Sequence, residues 1–245
     1  LALVLTGALV SLSLLGCGAG GDQAKQASKL RVGASIDFAP FEFQDEGQKD
    51  YQGFDMDLIR AVAKEMGSEA EIQNIGFDGL IPALQAKNID VIISGMTIND
   101  ERKEKVAFSD PYYQSGLTMV VRSDEENIKT FSDLKGHKVA AQIGTTGAKM
   151  AKEMEGVTVS ELNTPADCFM ELKAGGVDAV VNDLPVNDYY INQAQATGVK
   201  TLADRLSAED YGIAMAKDNT ELQQKINAAL KKLHDNGEYD KIYQK

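Results

Sequence analysis

The chain has 245 residues, 43% hydrophobic and 25% charged, and its 25 Lys and Arg against 37 Asp and Glu give a formal net charge of −12. The length suits two modest domains, and an acidic chain without a basic stripe is a poor partner for nucleic acid. Two histidines, His137 and His234, and two cysteines, Cys17 and Cys168, offer no metal spacing and no disulfide framework, so no metal and no cofactor are expected.

Residues 1–16, LALVLTGALVSLSLLG, are apolar and uncharged. They read as the core of an export signal peptide whose basic segment lies upstream. The run is short for a membrane-spanning helix, which needs ~20 residues. The LLGC at 14–17 is similar to the bacterial lipobox, in which the cysteine is lipidated. A plain secretory signal with an incidental cysteine is the competing reading. Lipidation at Cys17 is favoured because a Gly-rich polar tether, 17–29, follows it. The mature chain is then exported and held to a membrane by a lipid anchor only.

From residue 30 onward, short apolar runs alternate with helical patterns. A strand over 30–35 precedes a helix over 55–66, in which Leu58, Ile59, Val62, Ala63 and Met66 form one apolar face. A strand at 70–75, a short helix at 79–87 with Pro82 near its start, and strands at 91–94 and 116–122 follow. The rhythm then repeats. A strand at 138–142 leads into a helix ending near Met154, and a strand at 157–162 leads to a helix capped by Thr164 with Pro165 in first position. A strand at 177–182 leads to a helix through Tyr190. Near the end, Thr220 and Gln223 read as a capping box opening a helix that carries Leu222, Ile226, Leu230 and Leu233 and is closed by Gly237. Strands alternating with helices imply α/β architecture with mainly parallel, mixed sheets. Two such units suggest two lobes, joined by extended segments near 113–118 and 207–213.

In open α/β sheets, ligands gather where strand C-termini meet helix N-termini. Three places qualify. Ser94-Gly95-Met96-Thr97 follows a strand, and Arg102 lies just beyond; a guanidinium fork matches a carboxylate in two-point contact. The same residues also read as a threonine helix cap and a solvated charge run. Gly144-Thr145-Thr146-Gly147 is a small-residue bend into a helix, whose free N–H groups suit an anion, or an ordinary turn. Asn182-Asp183 ends a strand, where an acid can receive an ammonium group or cap the next helix. Together they complement a zwitterion. Phe38 and Phe77 read either as core aromatics or as flat faces flanking a ligand side chain, with a cation–π contribution if it is basic.

The segments APFEF, GFDMDL, GFDGLIPALQAKNIDVIISGMTINDERK, FSDPYYQSGL, IGTTG, ELKAGGVDAVVND and NGEYDKIY run in order over nearly the whole chain from about Lys29. In them the chain resembles the bacterial family-3 extracellular solute-binding proteins, the polar amino-acid-binding components of ABC importers. The resemblance implies the two-lobed periplasmic-binding-protein fold of type II. Residues 30–114 plus 212–245 would form the first lobe and 115–211 the second. It implies that Arg102 grips the ligand carboxylate with Thr97, Gly95 and Thr146 assisting, that Asp183 takes the ammonium, and that Phe38 and Phe77 line the side-chain pocket near Gln142 and Asn182. Ser94, Met96 and Thr145 fall within the same segments. Many relatives carry an acid at the position of Ser35; here the acid is Asp37, which shares a side with Ser35 if that segment is extended.

The resemblance therefore implies a monomeric binding protein that presents a polar L-amino acid to membrane permease subunits, with no covalent chemistry. Paired aromatics and Asp37 point to a basic amino acid, arginine first. Gln142 and Asn182 make glutamine the alternative. A dehydratase-type enzyme on the same scaffold would have only Glu42, Asp37 or Asp183 as general acid or base. A ligand sensor that works without a transporter is a further alternative.

Overall fold

The computed structural model describes residues 28–192 and 197–245. The expected signal segment, Cys17 and most of the 17–29 tether lie outside the described residues; Ser28 and Lys29, at the tether's expected end, already belong to the first strand.

In chain order the first elements are β1 (Ser28–Ala34), α1 (Phe54–Glu65), β2 (Ser68–Asn74), α2 (Phe77–Gln85), β3 (Val91–Ile92), α3 (Asp100–Lys103) and β4 (Val106–Phe108). The chain then builds β5 (Tyr113–Arg122), β6 (Lys138–Gln142), α4 (Thr146–Glu153), β7 (Thr158–Leu162), α5 (Pro165–Ala174), β8 (Ala179–Asp183), α6 (Leu184–Asn192), β9 (Val199–Thr201) and β10 (Ser207–Tyr211). It ends with β11 (Ala214–Ala216), α7 (Thr220–Asp235) and α8 (Glu238–Gln244).

Two sheets result. The first has strand order β2-β1-β3-β11-β4; the second has β10-β5-β8-β6-β7, with β9 also on β5. Each is covered on both faces. In the first, Ile59 and Val62 of α1 and Ile226 and Leu230 of α7 pack on one face, while Leu80 and Leu84 of α2 pack on the other with Ile92 and Met96. In the second, Ala151 of α4 joins Met119, Val139 and Val181, while Cys168, Phe169 and Leu172 of α5 cover Val120, Ala140 and Val180. Burial on both faces explains the continuous apolar runs of β3, β6 and β8.

The sheets are mixed, and among the described residues antiparallel pairings outnumber parallel ones by five to four, more than the sequence pattern suggests. The strand–helix–strand units supply the parallel pairs. The strands that enter and leave the second sheet, β5 and β10, and the returning β11 run against their neighbours, as a chain that crosses and comes back must. The chain passes between sheets from Phe108 to Tyr113 and again from Tyr211 to Ala214. Tyr113 and Gln114 already pair with Tyr211 and Asp210 in the second sheet. The two passages lie side by side, since Tyr112 donates its N–H to the Tyr211 carbonyl.

Two helix caps differ from the sequence reading. Asn99, not Thr97, caps α3, accepting the Arg102 N–H at 2.8 Å. Asn219, not Thr220, caps α7, accepting the Leu222 N–H at 3.2 Å. Asn is at least as good a cap as Thr, and in both cases it frees the threonine. The Thr164 cap of α5 is as expected. Among the described residues no helix is long and apolar enough to cross a membrane, and no cluster of three or more His, Cys, Asp or Glu could hold a metal ion.

The cap assignment predicts a split. Asn219→Ala should destabilise the protein by about 1 kcal/mol in urea unfolding, whereas Thr220→Ala should change it by less than about 0.5 kcal/mol.

Candidate functional site

The cleft between the sheets is lined by the loop after β1, the turn after β3 with α3, the bend from β6 into α4, and the ends of β8 and β10. Contacts among the described residues span it. Arg102 Nη2 donates to the Gly144 carbonyl at 3.1 Å, Gln142 Nε2 lies 3.3 Å from Asp37 Oδ2, Lys149 Nζ pairs with Glu101 Oε2 at 2.9 Å, and the rings of Phe43 and Tyr189 stand 5.9 Å apart. The Gly144 bend has φ +79°, and a Cβ there would lie 3.1 Å from Asp78 of the opposite wall. Glycine at this position lets the two walls close.

One end of the cleft is charged. Arg102 is 7% exposed. Its Nη1 donates to the Thr97 carbonyl at 2.8 Å, and its guanidinium carbon lies 5.3 Å from the centre of the Phe77 ring. Burial lowers the Arg102 pKa, while Glu209, Asp183 and Glu101 favour its charged form. Facing it, Asp183 at the tip of β8 accepts a hydrogen bond from Ser115 Oγ at 3.0 Å. Burial pushes its carboxyl up to about 7, with Glu209 adding to the rise and Tyr211, Ser115 and Arg102 opposing it. Thr146 Oγ1 donates to Glu209 Oε2 at 3.0 Å, and Thr145 caps α4 by accepting the Ala148 N–H. The expected pair, Arg102 on α3 and Asp183 on β8, is therefore buried at the same end of the cleft.

The other end is polar and acidic. Asp37 accepts from Ser35 Oγ at 3.0 Å, and burial raises its pKa against the opposing effect of Ser35 and Gln142. Ser35 and Asp37 share a side, but through a tight turn, Asp37 N–H to Ser35 carbonyl at 2.8 Å, rather than through extended chain. Gln142 Nε2 also donates to the Asn163 carbonyl at 3.0 Å. Asn182 and Asp183 are neighbours on β8 and so face opposite sides of the sheet. Asn182 therefore shares the side of Val180 and α5, with its Nδ2 unpaired.

Between the two ends, Phe38 packs on Gly95, whose φ is +48° and whose Cβ would lie 2.8 Å from the Phe38 ring. Only glycine fits that turn without displacing the aromatic. Phe77 already carries the Arg102 guanidinium on its ring.

Two expected residues do not present their side chains to the cleft. Ser94 Oγ donates to Glu42 Oε1 at 2.7 Å and accepts the Ser35 N–H at 2.9 Å, so its hydroxyl is used beneath the cleft floor. Met96 is 1% exposed and belongs to the core under α2. Glu42 is fully buried beneath the floor. The sequence reading missed Ser115, Glu209 and Tyr211. They lie on the antiparallel passages β5 and β10, where no strand-to-helix bend marks them.

The model of the bacterial extracellular solute-binding proteins, family 3, matches residues 30–245. The arginine-binding extracellular protein ArtP of Bacillus subtilis is 35% identical over 249 residues, spanning 99% of this chain and 96% of its own length. An ancestral arginine-binding protein solved with arginine superposes with a TM-score of 0.85 at 46% identity, covering 89% of this chain and 97% of that one. The structure of an ancestral arginine-binding protein bound to glutamine gives the same TM-score and identity over 89% and 96%.

The raised Asp183 pKa has a consequence for stability. A carboxyl whose folded pKa, about 7, exceeds the unfolded value of about 3.9 contributes stability that is full below the unfolded pKa and lost as pH rises through the folded one. The burial-raised Asp37 and Asp55 act in the same direction. Asp183→Asn removes the penalty. It should stabilise the free protein at pH 8 by about 2–4 kcal/mol and flatten the change in melting temperature between pH 5 and pH 8, read by calorimetry.

Proposed function

Because the chain belongs to the bacterial extracellular solute-binding proteins of family 3 and has their two-lobed α/β fold, we propose that it captures a polar L-amino acid, arginine first, and delivers it to the permease subunits of an ABC importer. The observation that carries this reading is the pairing of buried Arg102 on one wall with buried Asp183 on the other. A zwitterion satisfies both. The protein works outside the cytoplasm as a monomer tethered through Cys17, and its lobes, 30–114 with 212–245 and 115–211, close about the two crossover passages. A ligand that touches both walls only when they meet stabilises closure by its differential affinity. The relatives it matches are binding proteins, so no catalytic step is assigned.

In this reading Arg102 takes the ligand carboxylate with the Thr97 hydroxyl and the Thr146 amide at the first turn of α4. Asp183 takes the ammonium. Phe38 and Phe77 flank the side chain, and Asp37, held by Ser35 and Gln142, receives its far end. The preference for arginine rests on Asp37, a carboxylate whose burial-raised pKa falls when a cation arrives. Glutamine is the second reading, favoured by the amide groups of Gln142 and Asn182 and by the ancestral protein solved with glutamine.

Calorimetric titration of the ligand-stripped protein with each common amino acid tests the reading; arginine should bind most tightly. Arg102→Ala should weaken any amino acid by at least about 3 kcal/mol, more than a hundredfold, because the carboxylate loses a buried partner. Arg102→Lys should restore only part, lacking the fork. Asp37→Asn should weaken arginine by ~1.5–3 kcal/mol and leave glutamine nearly unchanged. Equal losses for both would move the preference to glutamine.

A further inference from the structure

Beneath the cleft floor, two carboxyl groups are buried together without a cation. Glu42 and Asp55 are both 0% exposed. Glu42 Oε1 accepts the Ser94 hydroxyl at 2.7 Å, and that hydroxyl in turn accepts the Ser35 N–H at 2.9 Å. Asp55 Oδ2 accepts the Gly95 N–H at 2.8 Å and the Tyr112 hydroxyl at 2.7 Å. The remaining oxygens, Glu42 Oε2 and Asp55 Oδ1, have no partner when both groups are treated as acceptors, although the two side chains lie within hydrogen-bonding reach of each other.

Two facing acceptor-only oxygens in a dry interior repel, and each unsatisfied group is costly. A single proton between them removes both faults. The hydrogen-bond pattern decides where it resides. Asp55 receives two donors and sits in the first turn of α1, where the helix dipole favours an anion; Glu42 receives one hydroxyl. The other ionisable side chains that bear on the pair, Asp37, Tyr112, Tyr211 and Tyr239, are acids or phenols and offer no compensating charge.

We propose that Glu42 is a neutral carboxylic acid that donates its proton to the Asp55 carboxylate, and that this pair is a positioning device fixing the ligand-cradling turn at Ser94–Gly95 to the crossover at Tyr112. Neither residue touches the ligand space. Through Ser94 the pair holds the Ser35 backbone at the acidic end of the cleft. Through the Gly95 amide it holds the turn on which Phe38 packs and which leads to Thr97. Through the Tyr112 hydroxyl it reaches the passage along which the chain leaves the first sheet, whose Tyr112 carbonyl also accepts from the Tyr239 hydroxyl. Burial pushes the Glu42 pKa well above the usual carboxylate range and that of Asp55 to about 6, the order the hydrogen bonds require.

The test is infrared spectroscopy of the whole protein at pH 8.5, where a protonated carboxyl shows a carbonyl band apart from the carboxylates. The wild type should show the band, and Glu42→Gln should lose it. Asp55→Asn, which turns the acceptor into a donor and lets Glu42 ionise, should lose it too. Arginine affinity supplies the second readout. Glu42→Gln keeps a donor towards Asp55 and an acceptor for Ser94, so it should bind within about threefold of the wild type, whereas Glu42→Ala should lose more than tenfold. No difference in the band between wild type and Glu42→Gln, or equal damage from Gln and Ala, would overturn the proposal. The affinity arm rests on the arginine reading; the infrared arm does not, so failure of the ligand assignment and failure of the pair are separable. If Glu42→Ala does not fold, the band and Glu42→Gln still decide.

Discussion

Burying a charge is unfavourable unless a partner arrives with it, and this protein buries an arginine and a carboxyl on facing walls of one cleft. Arg102 lies on α3, which Asn99 caps, and its guanidinium stands over the Phe77 ring. Asp183 ends a strand buried on both faces and has only hydroxyls to receive. Each group is partly served by its own wall, and together with Glu209 they leave an excess of negative charge at this end. A zwitterion supplies the opposite pattern, with its ammonium towards the acids and its carboxylate towards the arginine.

The fold makes this possible by geometry alone. In each sheet the parallel half ends its strands at the cleft, so backbone and small side chains converge there from strand tips and helix starts. Glycine appears where the approach is closest: at Gly95 against Phe38, and at Gly144 against Asp78. The antiparallel half of each sheet is made by the crossover strands. They contribute Ser115 and Glu209 to the charged end while also connecting the two walls, so the segments about which the walls would turn are themselves part of the site. The buried carboxyl pair beneath the floor extends the same connection from the ligand turn to Tyr112.

Much of this was legible in the sequence, and what was hidden has physical reasons. Apolar runs at β3, β6 and β8 and the 3.6-residue pattern of α1 and α7 announced the two α/β units, because burial on both faces leaves an unambiguous composition. Arg102 and Asp183 draw notice in the sequence because one follows the turn after a strand and the other ends a strand. Side-chain direction was less so. Met96 and Ser94 lie in the right segment, yet one points into the core and the other beneath the floor. Helix caps were placed near Thr97 and Thr220 where the neighbouring asparagines do the capping, since Asn and Thr compete for that role on nearly equal terms. Glu209 could not be found from local pattern: β10 is a short polar strand, and its partners Thr146 and Arg102 are 63 and 107 residues distant in the chain.

In the function proposed above, Asp183 waits partly protonated for an ammonium group. Calorimetric titration with arginine at pH 7, in two buffers of different ionisation enthalpy, tests it directly. With a free-protein pKa of about 7, Asp183 should release about half a proton per ligand bound as the ammonium holds it ionised. The release should be absent in Asp183→Asn, and in the wild type it should fall away by about pH 8.5, where Asp183 is already ionised. Tight arginine binding at pH 7 with no proton exchanged would contradict the claim.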